Sequence, residues 1–361
     1  MFVAITNTPR DYAWGSATAI PDLLGTPATG APQAELWLGT HPGSPARTAD
    51  GTLAELTTLP FLLKVLAAAS PLSLQAHPTI EQAVAGFARE NAAGLPLDAA
   101  ERNYKDELHK PEIIFAITPF RALCGFRPAS ETAAAIERLL GAAPGDAPLN
   151  GWLDRLGSDD DIRPVFEWLL SRGPGADEVV ASLVAAAPLV DGAHFTLVSE
   201  LAGAYPRDPG IAISLMLNLA ELQPGEVLFL PAGNIHAYIE GLGIELMAAS
   251  DNVLRGGLTP KHVDVPELLS VLDFAPVAVL PYLPPDVSGG VSRFSPLPDF
   301  ALLHVVADAV VSLPSSAIVL CTAGAFTLNG TAIARGESFY VADEPTLAVT
   351  GAGNLFVATQ G

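Results

Sequence analysis

Cysteine is almost missing from this chain. Only Cys124 and Cys321 occur in 361 residues, far apart in sequence. That excludes a disulfide framework, and two buried free thiols are expected. Lysine is nearly as scarce, with only Lys64, Lys105, Lys110 and Lys261 present. Positive charge is short overall, and the net charge is −21. A field of that sign repels nucleic acid and anionic membranes, so neither is expected as a partner. No run of about 18 apolar residues is free of charges and breakers, which excludes a transmembrane helix. The opening MFVAITNTPRDYAWGS lacks a basic segment followed by a long apolar one. No signal peptide and a cytoplasmic location are therefore expected.

What is present is apolar residue in quantity, 50% of the chain, enough for a sizeable core. Residues 1–78 read as short strands broken by Gly and Pro, including LPFLLKVLAA and PLSLQAHP. Thr79 and Gln82 fit a capping box, and Ile80, Val84 and Phe87 form the expected helical stripe after it. Strands return at 111–117 and 121–126. From Ala129 to Ala204 the pattern turns helical, with Ile162, Val165, Phe166, Leu169 and Leu170 on one face. Strands resume after a short helix near 209–216, and Val265–Leu272 reads as a connecting helix. The expected fold is mainly β with an α-helical insertion. Its division is a discontinuous β-domain of residues 1–128 and 205–262, a helical insertion of 129–204, and a C-terminal β-domain of 263–361.

Two local patterns carry chemistry. In LSLQAHP, period-two alternation puts Leu72, Leu74 and Ala76 on one strand face and Ser73, Gln75 and His77 on the other. In GEVLFLPAGNIHAY, a strand Val227–Leu230 ends at Pro231, a Gly-containing turn reverses the chain, and His236 starts the next strand. The spacing G-x5-P-x-G-x2-H resembles the second metal-binding motif of the cupin superfamily, whose usual terminal Asn falls at Glu240 here. Gln75-x-His77 stands in the first motif's pair position, and Glu112 supplies its carboxylate. Two imidazoles, a carboxylate and an amide oxygen suit a borderline divalent metal, with zinc favoured for chemistry that is not redox. The weak amide ligand implies a further, exchangeable position.

Taken together, SLQAHP, HKPEIIFAITPFRALCGFRP, PAGNIHAY and ASDNVLRGGLTPK closely resemble the type I mannose-6-phosphate isomerase family. YAWGS at 12–16 and AELWLGTHPGSPA at 34–46 fit as well. The resemblance covers nearly the whole chain. It implies two cupin-like, jelly-roll β-domains plus a helical domain, the C-terminal β-domain lacking metal ligands. It also implies one Zn2+ per chain, held by Gln75, His77, Glu112 and His236, and Arg255 as an active-site arginine. The implied reaction interconverts mannose 6-phosphate and fructose 6-phosphate through a cis-enediol. A bicupin sugar-phosphate sensor without turnover and a cupin oxygenase are the alternatives.

Moving a proton between C1 and C2 needs a base, and a guanidinium stays protonated. Lys64, Lys110, His109 and Asp251 are the candidates. A desolvated Lys beside a metal is expected to lose basicity, and His109 with Asp251 is the expected ring-opening pair. Lys261 is expected to bind phosphate, with help from Lys64, Lys110 or Arg255. Ser73 shares the Gln75 and His77 face and is expected within reach of substrate.

Overall fold

The structure is a computed structural model describing residues 1–279, 281–284 and 286–361. Its strands form two nine-stranded sheets, and every named strand pairing is antiparallel. One sheet is built from the C-terminal strands, with Ala317–Leu328 and Thr346–Thr359 at its centre. The other holds the chemistry-bearing segments, and its hub is the strand His236–Ala248. The first half of that strand pairs with Gln75–Ala76 and Phe120–Phe126. The second half pairs with Phe61–Ala68 and Glu112–Ala116. Gly241 stands at the changeover with φ 136°. A Cβ there would lie 2.5 Å from the Phe120 ring, so only glycine lets the strand turn this corner.

Alternation along these strands sorts side chains between separate interiors. Leu63, Val65, Ile113, Phe115, Ile244 and Leu246 join Ile318, Leu320 and Phe356 in an apolar layer between the two sheets. Leu66, Ile114, Ala116 and Tyr238 point the other way, into the interior of the second sheet. Lys64, Glu112 and Glu245 share that inward side by the same period of two.

The N-terminal strand departs from the expected division. Phe2–Ile5 pairs with Ser338–Val341 and so belongs to the C-terminal sheet. With Ile5, Ile20 and Leu24 also in the shared layer, the start of the chain ties the two sheets together.

The helical segment runs from Ala129–Ala142 through Ala193–Ala204, as its periodicity indicates. Ile162, Val165, Phe166, Leu169 and Leu170 are all buried, in one core with a fully enclosed Trp152. This core continues onto Leu74, Ala76, Ile235 and Ala237. Those four alternate in sequence with Gln75, His77 and His236. The helices therefore back the outer face of the segments whose inner face carries the polar groups.

The helix Ile80–Ala92 has its expected cap. Thr79 N–H donates to Gln82 Oε1 at 2.9 Å, and Gln82 N–H donates to Thr79 Oγ1 at 3.3 Å. The helical stripe marks a helix that is there, but not its buried face. Ile80 and Val84 are 47% and 43% exposed, and the buried face is Ala83, Gly86 and Glu90. Gly86 admits the Tyr104 ring, whose atoms would lie 2.4 Å from a Cβ. Glu90 accepts the backbone N–H of Asn103 and Tyr104 and pairs with Arg102. The helix thus anchors the 95–109 segment instead of burying aliphatic side chains.

Candidate active site

His77, Glu112 and His236 converge in the interior of the second sheet, each with a ligand atom within 4.8 Å of the others. His77 Nε2 lies 3.4 Å from Glu112 Oε1, and His236 Nε2 lies 3.4 Å from Glu112 Oε2. Both imidazoles are fully enclosed and the carboxylate nearly so. His77 Nε2 and Glu112 Oε2 have no hydrogen-bond partner among the described residues. Buried polar atoms left bare are costly, and atoms that point at one common centre fit a cation.

The ring tautomers agree. His77 Nδ1 donates to Asn252 O at 2.7 Å, and His236 Nδ1 donates to Asn234 O at 3.1 Å. Each bond puts the ring proton on Nδ1 and leaves the Nε2 lone pair facing Glu112. Burial, with the charge of Lys110, pushes the His77 imidazole down to about 4, so it stays a neutral donor. Glu112 lies well below the usual carboxylate range: burial opposes this, and Lys110 with the imidazoles outweighs it. Gln75 completes the set, directly opposite His236 on paired strands, with its Nε2 3.2 Å from His236 Nε2. Rotating that amide half a turn presents its oxygen instead. The donors fit a zinc-type ion.

Of these groups Gln75 and Glu112 line a cavity of about 530 Å³, within the range of small-molecule sites, while His77 and His236 are fully enclosed and do not reach its wall. The cavity brings together Lys64, Ser73, Gln75, Lys110, Glu112, Asp251, Arg255 and Lys261. Lys110 Nζ donates to Glu112 Oε1 at 2.9 Å. Arg255 pairs in register with Gln75, and its Nη1 donates to Ser73 Oγ at 3.2 Å. Lys261, at the exposed rim, is shifted down by the charge of Arg255, by partial burial and by Lys105. Arg255 and Lys105 are near enough to Lys261 for like charges to repel, which favours an anion among them.

Two expected site residues sit differently. His109 is not on the cavity wall; its Nε2 is 2.6 Å from Asp299 of the C-terminal sheet's Leu297–Phe300 turn. Nor does Lys64 lose basicity. Burial alone would lower it, but Glu245 at 2.8 Å, Glu35 at 3.4 Å and the charge of Glu112 hold it well above its ordinary value. Lys64 is a fixed cation.

Sequence reasoning passed over Glu35, Trp37, His41 and Glu245, which also line the cavity. Trp37 Nε1 donates to Glu35 Oε2 at 2.9 Å. Glu245 is raised, because burial and the Glu112 and Glu35 carboxylates outweigh Lys64. Glu35 and Trp37 share one face of the strand Glu35–Leu38, where period two was the signal, and His41 follows in the loop after it.

Comparison with known proteins decides the family. The mannose-6-phosphate isomerase of Escherichia coli (strain K12) is 39% identical over 385 residues, covering 97% of each chain. The chain belongs to the type I phosphomannose isomerase family. The family's catalytic-domain model, phosphomannose isomerase type I, matches residues 2–58 and 51–129. The Homo sapiens mannose-6-phosphate isomerase is 32% identical, covering 87% of this chain and 86% of its own. A crystal structure of mannose 6-phosphate isomerase bound with zinc and yttrium superposes with a TM-score of 0.90 at 35% identity, covering 99% of both chains. The apo form from Salmonella typhimurium gives the same TM-score at 36% identity. No helix among the described residues is long and apolar enough to cross a membrane.

Proposed function

We propose that the chain is a mannose-6-phosphate isomerase. It interconverts mannose 6-phosphate and fructose 6-phosphate through a cis-enediol. It uses one Zn2+ per chain, held by Gln75, His77, Glu112 and His236. The observation that carries this reading is the buried His77–Glu112–His236 cluster, whose Glu112 lines, with Gln75, a cavity that also holds Lys110, Arg255 and Lys261. When bound, the zinc supplies Lewis-acid polarisation of the sugar's O1 and O2.

The chain's own groups take the remaining roles. Lys261 and Arg255 bind the phosphate, and Ser73 holds the Arg255 guanidinium in place. In ring opening, Asp251 takes the anomeric hydroxyl proton. The C1–O5 bond breaks, its electron pair passes to O5, and the Lys110 ammonium protonates O5. This replaces the expected His109 with the cation that lines the cavity. Glu245, a buried carboxylate of raised pKa, is suited to take the C2 proton and return it to C1, while the O2 hydroxyl proton passes to O1 within the cis-enediol. Lys64 fixes its orientation.

The two sheets are read as two cupin-like domains, with the metal ligands confined to the second. The cluster of His77, Glu112 and His236 lies with the second sheet. The net charge of −21 supports a small substrate captured by local cations and opposes nucleic-acid or anionic-membrane partners; the cytoplasm is the location this reading proposes.

The test is turnover by zinc-loaded protein of mannose 6-phosphate and, at equal concentration, of unphosphorylated mannose. Conversion of the phosphosugar alone is expected. Conversion of neither, or of both at one rate, contradicts the reading.

A further inference from the structure

His41 has no part in the roles above, yet its ring is held by packing and by two polar contacts. Its side chain is 5% exposed, and its ring stands edge-on to Trp37 with centroids 4.9 Å apart. Nδ1 accepts the backbone N–H of Gly43 at 3.1 Å. A Cβ on Gly43 would crowd that nitrogen at 3.2 Å, so the turn is built for this contact. An accepting Nδ1 places the ring proton on Nε2. That nitrogen lies 3.3 Å from Asp251 Oδ2.

Asp251 needs such a partner. Its side chain is 48% exposed, and its backbone is fixed by donation of its N–H to Asp106 Oδ2 at 2.9 Å. Among the described residues its carboxylate has no hydrogen-bond or ion-pair partner other than His41. A half-exposed Asp without that bond is free to turn into solvent.

We infer that His41 is a positioning residue, which through Nε2–H holds the Asp251 carboxylate aimed into the cavity toward the sugar's anomeric hydroxyl. The inference rests on the isomerase reading. His41 itself neither gains nor loses a proton. The Nε2–H donor also favours the ionised carboxylate that ring opening requires, and Asp251 is held below the usual carboxylate range by that bond first. The cations Lys110 and Lys105 act on it in the same direction.

The test is a double-mutant cycle. His41→Phe keeps an aromatic ring against Trp37 and removes the donor, and His41→Gln retains one. His41→Asn, with a donor too short to reach Asp251, is the second loss variant. His41→Phe and His41→Asn are expected to lower kcat by about 10- to 100-fold. KM and bound zinc are expected to stay near wild type, with partial recovery in His41→Gln. In an Asp251→Asn background, His41→Phe is expected to cost less than about twofold more, because the group it positions is already gone. Wild-type kcat in both loss variants, or losses that multiply in the double variant, would overturn the inference. Wild-type turnover read in the same series separates the failures. An inactive wild type overturns the isomerase reading, and this inference with it. An active wild type with indifferent His41 variants overturns this inference alone.

Discussion

Gln75 and His236 stand directly opposite one another on paired antiparallel strands, and Arg255 faces Gln75 from its other side. One row of register therefore carries two of the proposed metal donors and the cation proposed to face the substrate. Changing His236 to Ala removes the imidazole that connects this row to Glu112. Loss of most bound zinc and of nearly all turnover is expected. Metal analysis of the dialysed variant beside wild type checks this, and stoichiometric zinc in the variant is the contrary result.

Lys261 stands at the cavity rim beside Arg255, partly exposed and free to reach a phosphate. Lys261→Met removes a charge-assisted hydrogen bond worth about 1.5–3 kcal/mol. The KM for mannose 6-phosphate is expected to rise by about 10- to 100-fold, with a smaller change in kcat. Steady-state kinetics decides it; an unaltered KM would remove Lys261 from the phosphate site.

Acid is expected to destabilise the metal-free protein in a definite window. His77 titrates near its ordinary value of 6.5 when unfolded and at about 4 when folded. Its stabilising effect is complete above pH 6.5 and is lost as pH falls toward 4, where the unfolded chain alone takes the proton. That loss is on the order of 3 kcal/mol. Glu112, held well below its ordinary 4.5, extends the decline to lower pH. Melting temperatures of chelated protein across this range measure it. The decline between pH 6.5 and 4 is expected to shrink in His77→Gln.

Gly86 sets two effects against each other. Alanine in the middle of a helix is favoured over glycine by about 1 kcal/mol. Here a Cβ would meet the Tyr104 ring at 2.4 Å, and overpacking of this kind costs about 1–3 kcal/mol. Gly86→Ala is therefore expected to lower the melting temperature and to loosen the segment carrying Asp106. A stabilised variant would show that Tyr104 moves aside freely.

Much of this site could be read from local pattern. Alternation alone puts Gln75 and His77 on one side and Leu74 and Ala76 on the other, and the structure sends the apolar pair into the helical core. The proline and glycine before His236 mark where its strand begins, and it begins there. What failed depended on partners distant in sequence. Ile80 and Val84 follow a helical period, but Tyr104 and Glu90 decided which face is buried. Lys64 reads as a desolvated lysine until Glu35 and Glu245 are brought beside it from two other strands. His109 lies next to Lys110 in sequence, yet the strand start at Glu112 turns it toward Asp299. His41 belongs to a turn whose partner, Asp251, is 210 positions away, and no spacing rule links them.

The central claim is tested most directly by following conversion of mannose 6-phosphate to fructose 6-phosphate in one preparation, before chelation, after chelation and after zinc is restored. Activity that disappears with the metal and returns with zinc is the predicted result. Turnover that survives complete removal of the metal, or that never occurs in zinc-loaded protein, would contradict the account.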